Sequence, residues 1–378
     1  MPETPIIKHL QQETGRIVLS GFVLLLFVAV ALSTYTNTRD SGWWFITSTL
    51  LWLLSGYQTF IRLALNRADS DAPLYNNLGW ANRLTISRGW LISACGGLLL
   101  IPGLLSTSTA VVWMAALAYS VAAIFDRVDG FIARKTRHSS QLGAELDTVF
   151  DALGLLVAPL LALQLGKIHV SYLSVSIAYY LFVTGLKIRK RKGLAIYPLA
   201  PSQLRRTLAG FQMAYVAVVL WPPFDSGVTV LAGFGFMLPL LGGFLVDWCV
   251  VSGRLQPYTA GGRSVFATLK HITDTWFLPA LRFVLVMTLM LIWPTLSIAA
   301  PFIATVLILS VALMASGIAG RAGAAGLLML LAWHSPLPVG QPAFVLCLFI
   351  AIAILLLGCG RFSLWQADDH WVNRQDGA

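Results

Sequence analysis

The apolar residues of this chain do not alternate with polar ones. They fall in long, nearly unbroken runs such as 17–34 and 341–358. Runs of about twenty residues are what a helix needs to cross a hydrocarbon core of roughly 30 Å. Backbone N–H and C=O groups in lipid must pair within the protein, so such runs fold as helices. A membrane β-barrel would show short alternating segments instead, and the sequence has none. Only 11% of residues are charged and 57% are hydrophobic, with a mean hydropathy of +0.76, whereas a soluble domain carries roughly 25% charged residues. A water-soluble globule is excluded. The expected class is an all-α, polytopic, integral membrane protein.

Twelve spans are expected, near 17–34, 43–66, 87–105, 109–126, 145–166, 170–188, 206–222, 227–252, 276–294, 297–317, 321–335 and 341–358. Lys and Arg number 26 against 16 Asp and Glu, a formal net charge of +10. In a soluble chain that excess would suggest nucleic acid; here it reads as membrane topology, and no nucleic-acid partner is expected. With the N-terminus in the cytoplasm, the basic residues from Lys8 and Arg16 through Arg134, Lys135, Lys187–Lys192, Arg254, Arg263, Arg321, Arg361 and Arg374 fall on one side. The other side receives only Arg39 and Lys167. This bias places both termini in the cytoplasm, in a membrane expected to be a bacterial inner (cytoplasmic) one. The first run resembles a secretory signal in outline, but its length and the span that follows closely favour a retained helix. Cys95, Cys249, Cys347 and Cys359 are far apart, without metal-ligand spacing, and read as small apolar residues.

Ionisable groups at membrane depth are costly and usually functional. One hairpin concentrates them, where the fourth span runs into the fifth. Asp126 and Asp129 are three apart, and Asp147 and Asp151 four apart, so each pair shares a helix face. If the two helices are neighbours, four carboxylates converge at the cytoplasmic edge of the bilayer. Such a group repels itself unless a cation joins it. Mg²⁺ and Mn²⁺ take oxygen ligands, commonly carboxylates together with substrate phosphates. Two such ions about 4 Å apart can clamp a phosphoryl centre. Gly130 and Gly143 leave room for a ligand to approach the backbone, and Arg134 offers a fork for phosphate. The bland alternative is a set of loop charges paired with Arg127, Arg134, Lys135 and Arg137.

Residues 126–151 resemble the signature of the CDP-alcohol phosphotransferase family, DxxDGxxAR followed by GxxxDxxxD. The match falls on Asp126, Asp129, Gly130, Ala133, Arg134, Gly143, Asp147 and Asp151. The resemblance implies a six-helix core carrying the motif on its second and third helices, and so a catalytic domain at 71–255. A two-helix extension at 1–70 and a four-helix unit at 256–378 would flank it. It further implies that Asp126, Asp129 and Asp147 hold divalent ions, that Asp151 touches metal and acts as general base, and that Gly130, Ala133, Arg134 and Gly143 shape a cytidine diphosphate pocket. The segment Asn82-Arg83-Leu84-Thr85-Ile86-Ser87-Arg88 resembles the family's opening helix, whose Asn, Thr and Arg positions lie near the nucleotide, which implies Asn82 and Thr85 as part of that pocket. The implied reaction moves a phosphatidyl-type group from a CDP-linked lipid, such as CDP-diacylglycerol, to an alcohol, and CMP leaves. The base would take the proton of a hydroxyl whose pKa lies far above 7. Family members commonly pair as homodimers.

The acceptor stays open. Lys187–Lys192 reads either as a receiver for a phosphorylated acceptor, such as glycerol 3-phosphate or inositol phosphate, or as a topology determinant drawn to anionic lipid. Arg205 and Arg206, in a stretch that also holds Pro198 and Pro201, are candidate acceptor-binding residues. Asp247 reads as a partner of Arg254 or an acceptor contact. Arg282 is expected to face the protein interior or snorkel, and His138 to be solvated. In the last four helices, Gly317–Gly323 suits close helix packing, and Gly358–Leu364 resembles the tail of DoxX-like four-helix membrane proteins. That unit is expected to serve packing, oligomerisation or lipid access. Two other classes compete with a transferase: a transporter or flippase, against which stands the lack of a repeat between the halves, and a non-catalytic membrane scaffold.

Overall fold

The computed structural model describes residues 3–199, 202–255, 267–296, 300–336 and 338–365. Arg263 and Arg374, used above for orientation, and Pro201 lie outside them. The described residues are all-helical, with no strand beyond one isolated bridge between Ile318 and Trp365. Among the described residues, six helices are long and apolar enough to cross a bilayer: residues 4–33, 109–135, 141–164, 170–191, 226–251 and 267–292. Three shorter apolar helices, Pro301–Ser316, Gly320–Trp333 and Pro342–Leu357, accompany them. The all-α membrane class expected from the sequence holds, with these six spans and the shorter apolar helices among the described residues. The expected single span at 87–105 is in fact interrupted: its helix ends at Gly96, a 3-10 turn follows at Gly97–Leu100, and a short helix starts on Pro102. The Gly96-Gly97 pair and the missing N–H of proline explain the break.

The chain divides into two compact units. The first comprises the described residues up to Gly166 together with Val216–Pro222; the second comprises those of Lys167–Tyr215 and from Pro223 onward.

The first unit contains α1 (Glu3–Ser33), α2 (Thr38–Phe60), α3 (Gly79–Gly96), α4 (Pro102–Thr107), α5 (Thr109–Lys135) and α6 (Gln141–Gln164). Asn37, Ser108 and Ser140 cap α2, α5 and α6, their side-chain oxygens accepting from the amides of Asp40, Val111 and Gly143. α3 is the organising helix and packs on α2, α5 and α6. Indole N–H groups stitch the helices to one another. Trp44 donates to Ala94 O at 3.0 Å, Trp52 to Val18 O at 2.8 Å and Trp90 to Gly21 O at 2.9 Å. A Cβ at Gly21 would lie 2.6 Å from the Trp52 ring, so only glycine admits this crossing.

The second unit contains α7 (Leu173–Arg191), most of α8 (Gln203–Val219), α9 (Ser226–Val251), α10 (Leu278–Ile292), α11 (Pro301–Ser316), α12 (Gly320–Trp333) and α13 (Pro342–Leu357). Arg282 does face the interior. Its guanidinium is buried and donates to the carbonyls of Met314, Ala315, Cys359 and Arg361. The glycine stretch packs closely as expected, for a Cβ at Gly323 would sit 2.6 Å from Ser310 O.

Candidate active site

The site grows from one face of α3. Asn82, Thr85 and Arg88 recur every three residues, which keeps them on one side of the helix. Each reaches the α5–α6 hairpin. Asn82 Nδ2 donates to Ser140 Oγ at 3.0 Å and to Asn66 Oδ1 at 3.1 Å. Thr85 Oγ1 donates to Asp129 Oδ2 at 2.7 Å. Arg88 Nη1 lies 2.6 Å from Asp126 Oδ1 and 2.8 Å from Asp147 Oδ1, while its Nη2 pairs with Asp151 Oδ1. Both arms of the hairpin pack on α3.

Three of the four expected acids come together: Asp126, Asp147 and Asp151 each offer a ligand atom within 4.8 Å of the others. Asp129 is set apart from that triad, only 7% exposed and held by Thr85. Arg88 is 1% exposed, while the side chains of Asp126, Asp147 and Asp151 are 24%, 47% and 34% exposed. The cation therefore lies beneath the carboxylates, and they open outward. Close carboxylates repel each other, and the buried guanidinium offsets part of that repulsion. Carboxylate oxygens at this separation are the hard donors that Mg²⁺ and Mn²⁺ select, so the triad can hold a divalent ion.

The remaining residues of the motif take different places. A Cβ at Gly143 would lie 2.6 Å from Asn82 Oδ1, so this glycine lets α3 meet the start of α6. At Gly130 the nearest atom to such a Cβ is Arg134 Nη1 at 3.4 Å, an ordinary contact that leaves room at the backbone. Arg134 is exposed. α5 ends in a Schellman motif: His138 N donates to Ala133 O at 3.0 Å and Arg137 N to Arg134 O at 3.1 Å, with Arg137 at φ 53°.

His138 is not simply solvated. Its ring stacks on Tyr75, centroids 4.0 Å apart at 27°, and burial lowers its pKa from the usual value. Tyr75 belongs to a strap after α2, held by Tyr75 N donating to Asn66 O at 2.8 Å and Asn66 Nδ2 to Asn77 O at 2.9 Å. From α1, Glu13 Oε2 accepts from Leu78 N at 3.1 Å, and its Oε1 accepts from Arg83 Nε at 2.8 Å. Nothing in the local spacing of the sequence signals either contact, because the partners lie about sixty to seventy residues apart.

Arg205 and Arg206 lie in the second unit. Arg205 Nε pairs with Asp247 Oδ2 at 2.9 Å, so the partner of Asp247 is Arg205 and not the expected Arg254. Lys187–Lys192 closes α7. Arg189 Nη2 donates to Ala195 O at 2.6 Å, and the basic last turn complements the negative end of the helix.

Residues 78–245 match the family model described as CDP-alcohol phosphatidyltransferase. That segment contains every residue of the acid cluster as well as Asn82, Thr85 and Arg88, and it excludes α1 and α2. No curated protein and no solved structure matches the chain.

Proposed function

From the match of residues 78–245 to the CDP-alcohol phosphatidyltransferase model, within a chain of membrane-spanning helices, we propose that the chain moves a phosphatidyl group from CDP-diacylglycerol to an acceptor alcohol, releasing CMP. The observation that carries this reading is the triad Asp126, Asp147 and Asp151 gathered around buried Arg88 inside that segment.

Asp151 acts as the base. It accepts the acceptor's hydroxyl proton as oxygen bonds to the phosphorus bearing the lipid alcohol, and the bond from that phosphorus to the CMP oxygen breaks. Asp126, Asp129, Asp147 and Asp151 would hold Mg²⁺ or Mn²⁺, in our reading two ions. Bound there, they would offset charge on the pyrophosphate and on departing CMP. Arg134 pairs with phosphate, and Gly130, Ala133, Gly143, Asn82 and Thr85 shape the cytidine diphosphate pocket. Arg205 and Arg206 are assigned to the acceptor, glycerol 3-phosphate or an inositol (phosphate).

An apolar groove supports a lipid-tailed donor. It encloses about 570 Å³ between α1, α3 and α5, and is lined by Ile17, Leu24, Phe27, Trp90, Val121 and Phe125 among others. Phe125 and Ser87 on its wall adjoin Asp126 and Arg88 in sequence, so the groove and the acid cluster share helices α3 and α5. From Ile17 to Phe27 it follows α1 for about 15 Å. Its two serines donate to carbonyls of their own helices, Ser20 to Ile17 O and Ser87 to Arg83 O, which leaves the walls apolar.

The same proposal includes a catalytic domain at 71–255 flanked by 1–70 and 256–378, twelve membrane segments, and homodimer formation. It places the termini and the acids on the cytoplasmic side of a bacterial inner membrane, as the charge bias supports. The test is to give purified full chain CDP-diacylglycerol, Mg²⁺ or Mn²⁺, and a panel of acceptors, and to weigh the products. One acceptor is expected to gain a phosphatidyl group with one CMP released per product. Absence of any such product across charged and uncharged acceptors overturns the reading.

A further inference from the structure

Arg88 pairs with the Oδ1 atom of three carboxylates, those of Asp126, Asp147 and Asp151. One oxygen of each acid is thereby fixed on the guanidinium. Asp126 comes from α5, whereas Asp147 and Asp151 come from α6. Both helices pack on α3, and Arg88 is the α3 side chain that reaches an acid on each. Arginine suits this place because its guanidinium stays charged and presents several donors in a fixed plane. At 1% exposure it sits below carboxylates that are themselves partly open, so it does not block the side from which a cation would arrive.

We propose that Arg88 is the positioning residue of the acid cluster: it grips one oxygen of each of three carboxylates on two helices and holds their second oxygens ready for a divalent cation. This rests on the reading of those acids as cation ligands. Without Arg88 the three acids repel and turn apart, and the oxygens no longer share one point. The opposite behaviour, a guanidinium that merely fills the cation's place and must be expelled, predicts the reverse sign in the same experiment.

The test is Mn²⁺ titration of the purified full chain, without substrate, followed by electron paramagnetic resonance, with thermal unfolding recorded for every variant. Arg88→Gln is expected to weaken Mn²⁺ binding by about ten- to a hundredfold, the range typical when a group orienting metal ligands is lost. Arg88→Lys keeps the charge but not the planar fork, and is expected to fall between Arg88→Gln and wild type, which keeps the test available if the glutamine variant does not fold. Arg83→Gln, on the same helix but paired with Glu13, is expected to bind Mn²⁺ as wild type does. Wild-type or tighter affinity in either folded Arg88 variant overturns the proposal. Failure of wild type itself to bind Mn²⁺ overturns the cation reading of the acids, and this inference with it.

Discussion

Thr85 Oγ1 donates to Asp129 Oδ2 at 2.7 Å, joining α3 to α5 at a carboxylate only 7% exposed. The same hydroxyl lies 3.1 Å from Ala81 O, so it sits between its own helix and the acid. Replacing Thr85 by valine keeps the shape and removes the donor. Thr85→Val is expected to destabilise the protein by about 1–3 kcal/mol, the cost of leaving a buried acceptor unpaired. Thr85→Ser should stay near wild type. Thermal unfolding in detergent distinguishes the two.

Glu13 ties α1 to the amide at the start of α3 and to Arg83. α1 lies outside the matched family segment, yet it holds the helix that carries Arg88. Glu13→Ala is expected to cost about 2 kcal/mol, as for a hydrogen-bonded charge. Combined with Arg83→Gln, the loss should be smaller than the sum, with a coupling of about 0.5–3 kcal/mol in a double-mutant cycle.

Burial lowers the pKa of His138 from its usual 6.5, favouring the neutral ring stacked on Tyr75. The unfolded chain therefore binds a proton more readily than the native one. The stability this site contributes is full above the unfolded value and is lost as pH falls through and below it. His138→Phe keeps a ring against Tyr75 and removes the titration. Wild type should lose more thermal stability than His138→Phe between about pH 7 and pH 5, around the ordinary imidazole pKa.

If the groove along α1 takes the donor's tails, as proposed, bulk placed in it should act on long-chain donors alone. Leu24→Trp places bulk in it from an exposed position on α1. The expected outcome is a higher KM for a long-chain CDP-linked donor, with kcat little changed and a short-chain donor unaffected. An equal effect on both donors would mean that the tails lie elsewhere.

Much of this architecture is legible in the sequence because the lipid solvent leaves few options. Long apolar runs become helices, and Asp126 with Asp147 and Asp151 do converge as their spacing implies. Local reasoning fails where contacts are distant in sequence. Asp247 finds Arg205 forty-two residues upstream, whereas spacing pointed to Arg254. Asp129 shares a face with Asp126, but its hydrogen bond from Thr85, forty-four residues upstream, is not signalled by local spacing. The segment holding Asn82, Thr85 and Arg88 resembles the family's opening helix, but the part those side chains play in joining both arms of the hairpin rests on contacts distant in sequence. Span boundaries are legible only in part, for a different reason. Polar residues and the Gly96-Gly97 break interrupt segments whose apolar content alone resembles a full crossing.

The most direct measurement of the central claim is CMP release from CDP-diacylglycerol by wild type and by Asp151→Asn, with folding verified by thermal unfolding. A positioned base contributes about 10²–10⁴-fold, so the variant should lose at least that factor while remaining folded. A folded Asp151→Asn protein that releases CMP at the wild-type rate would contradict the account.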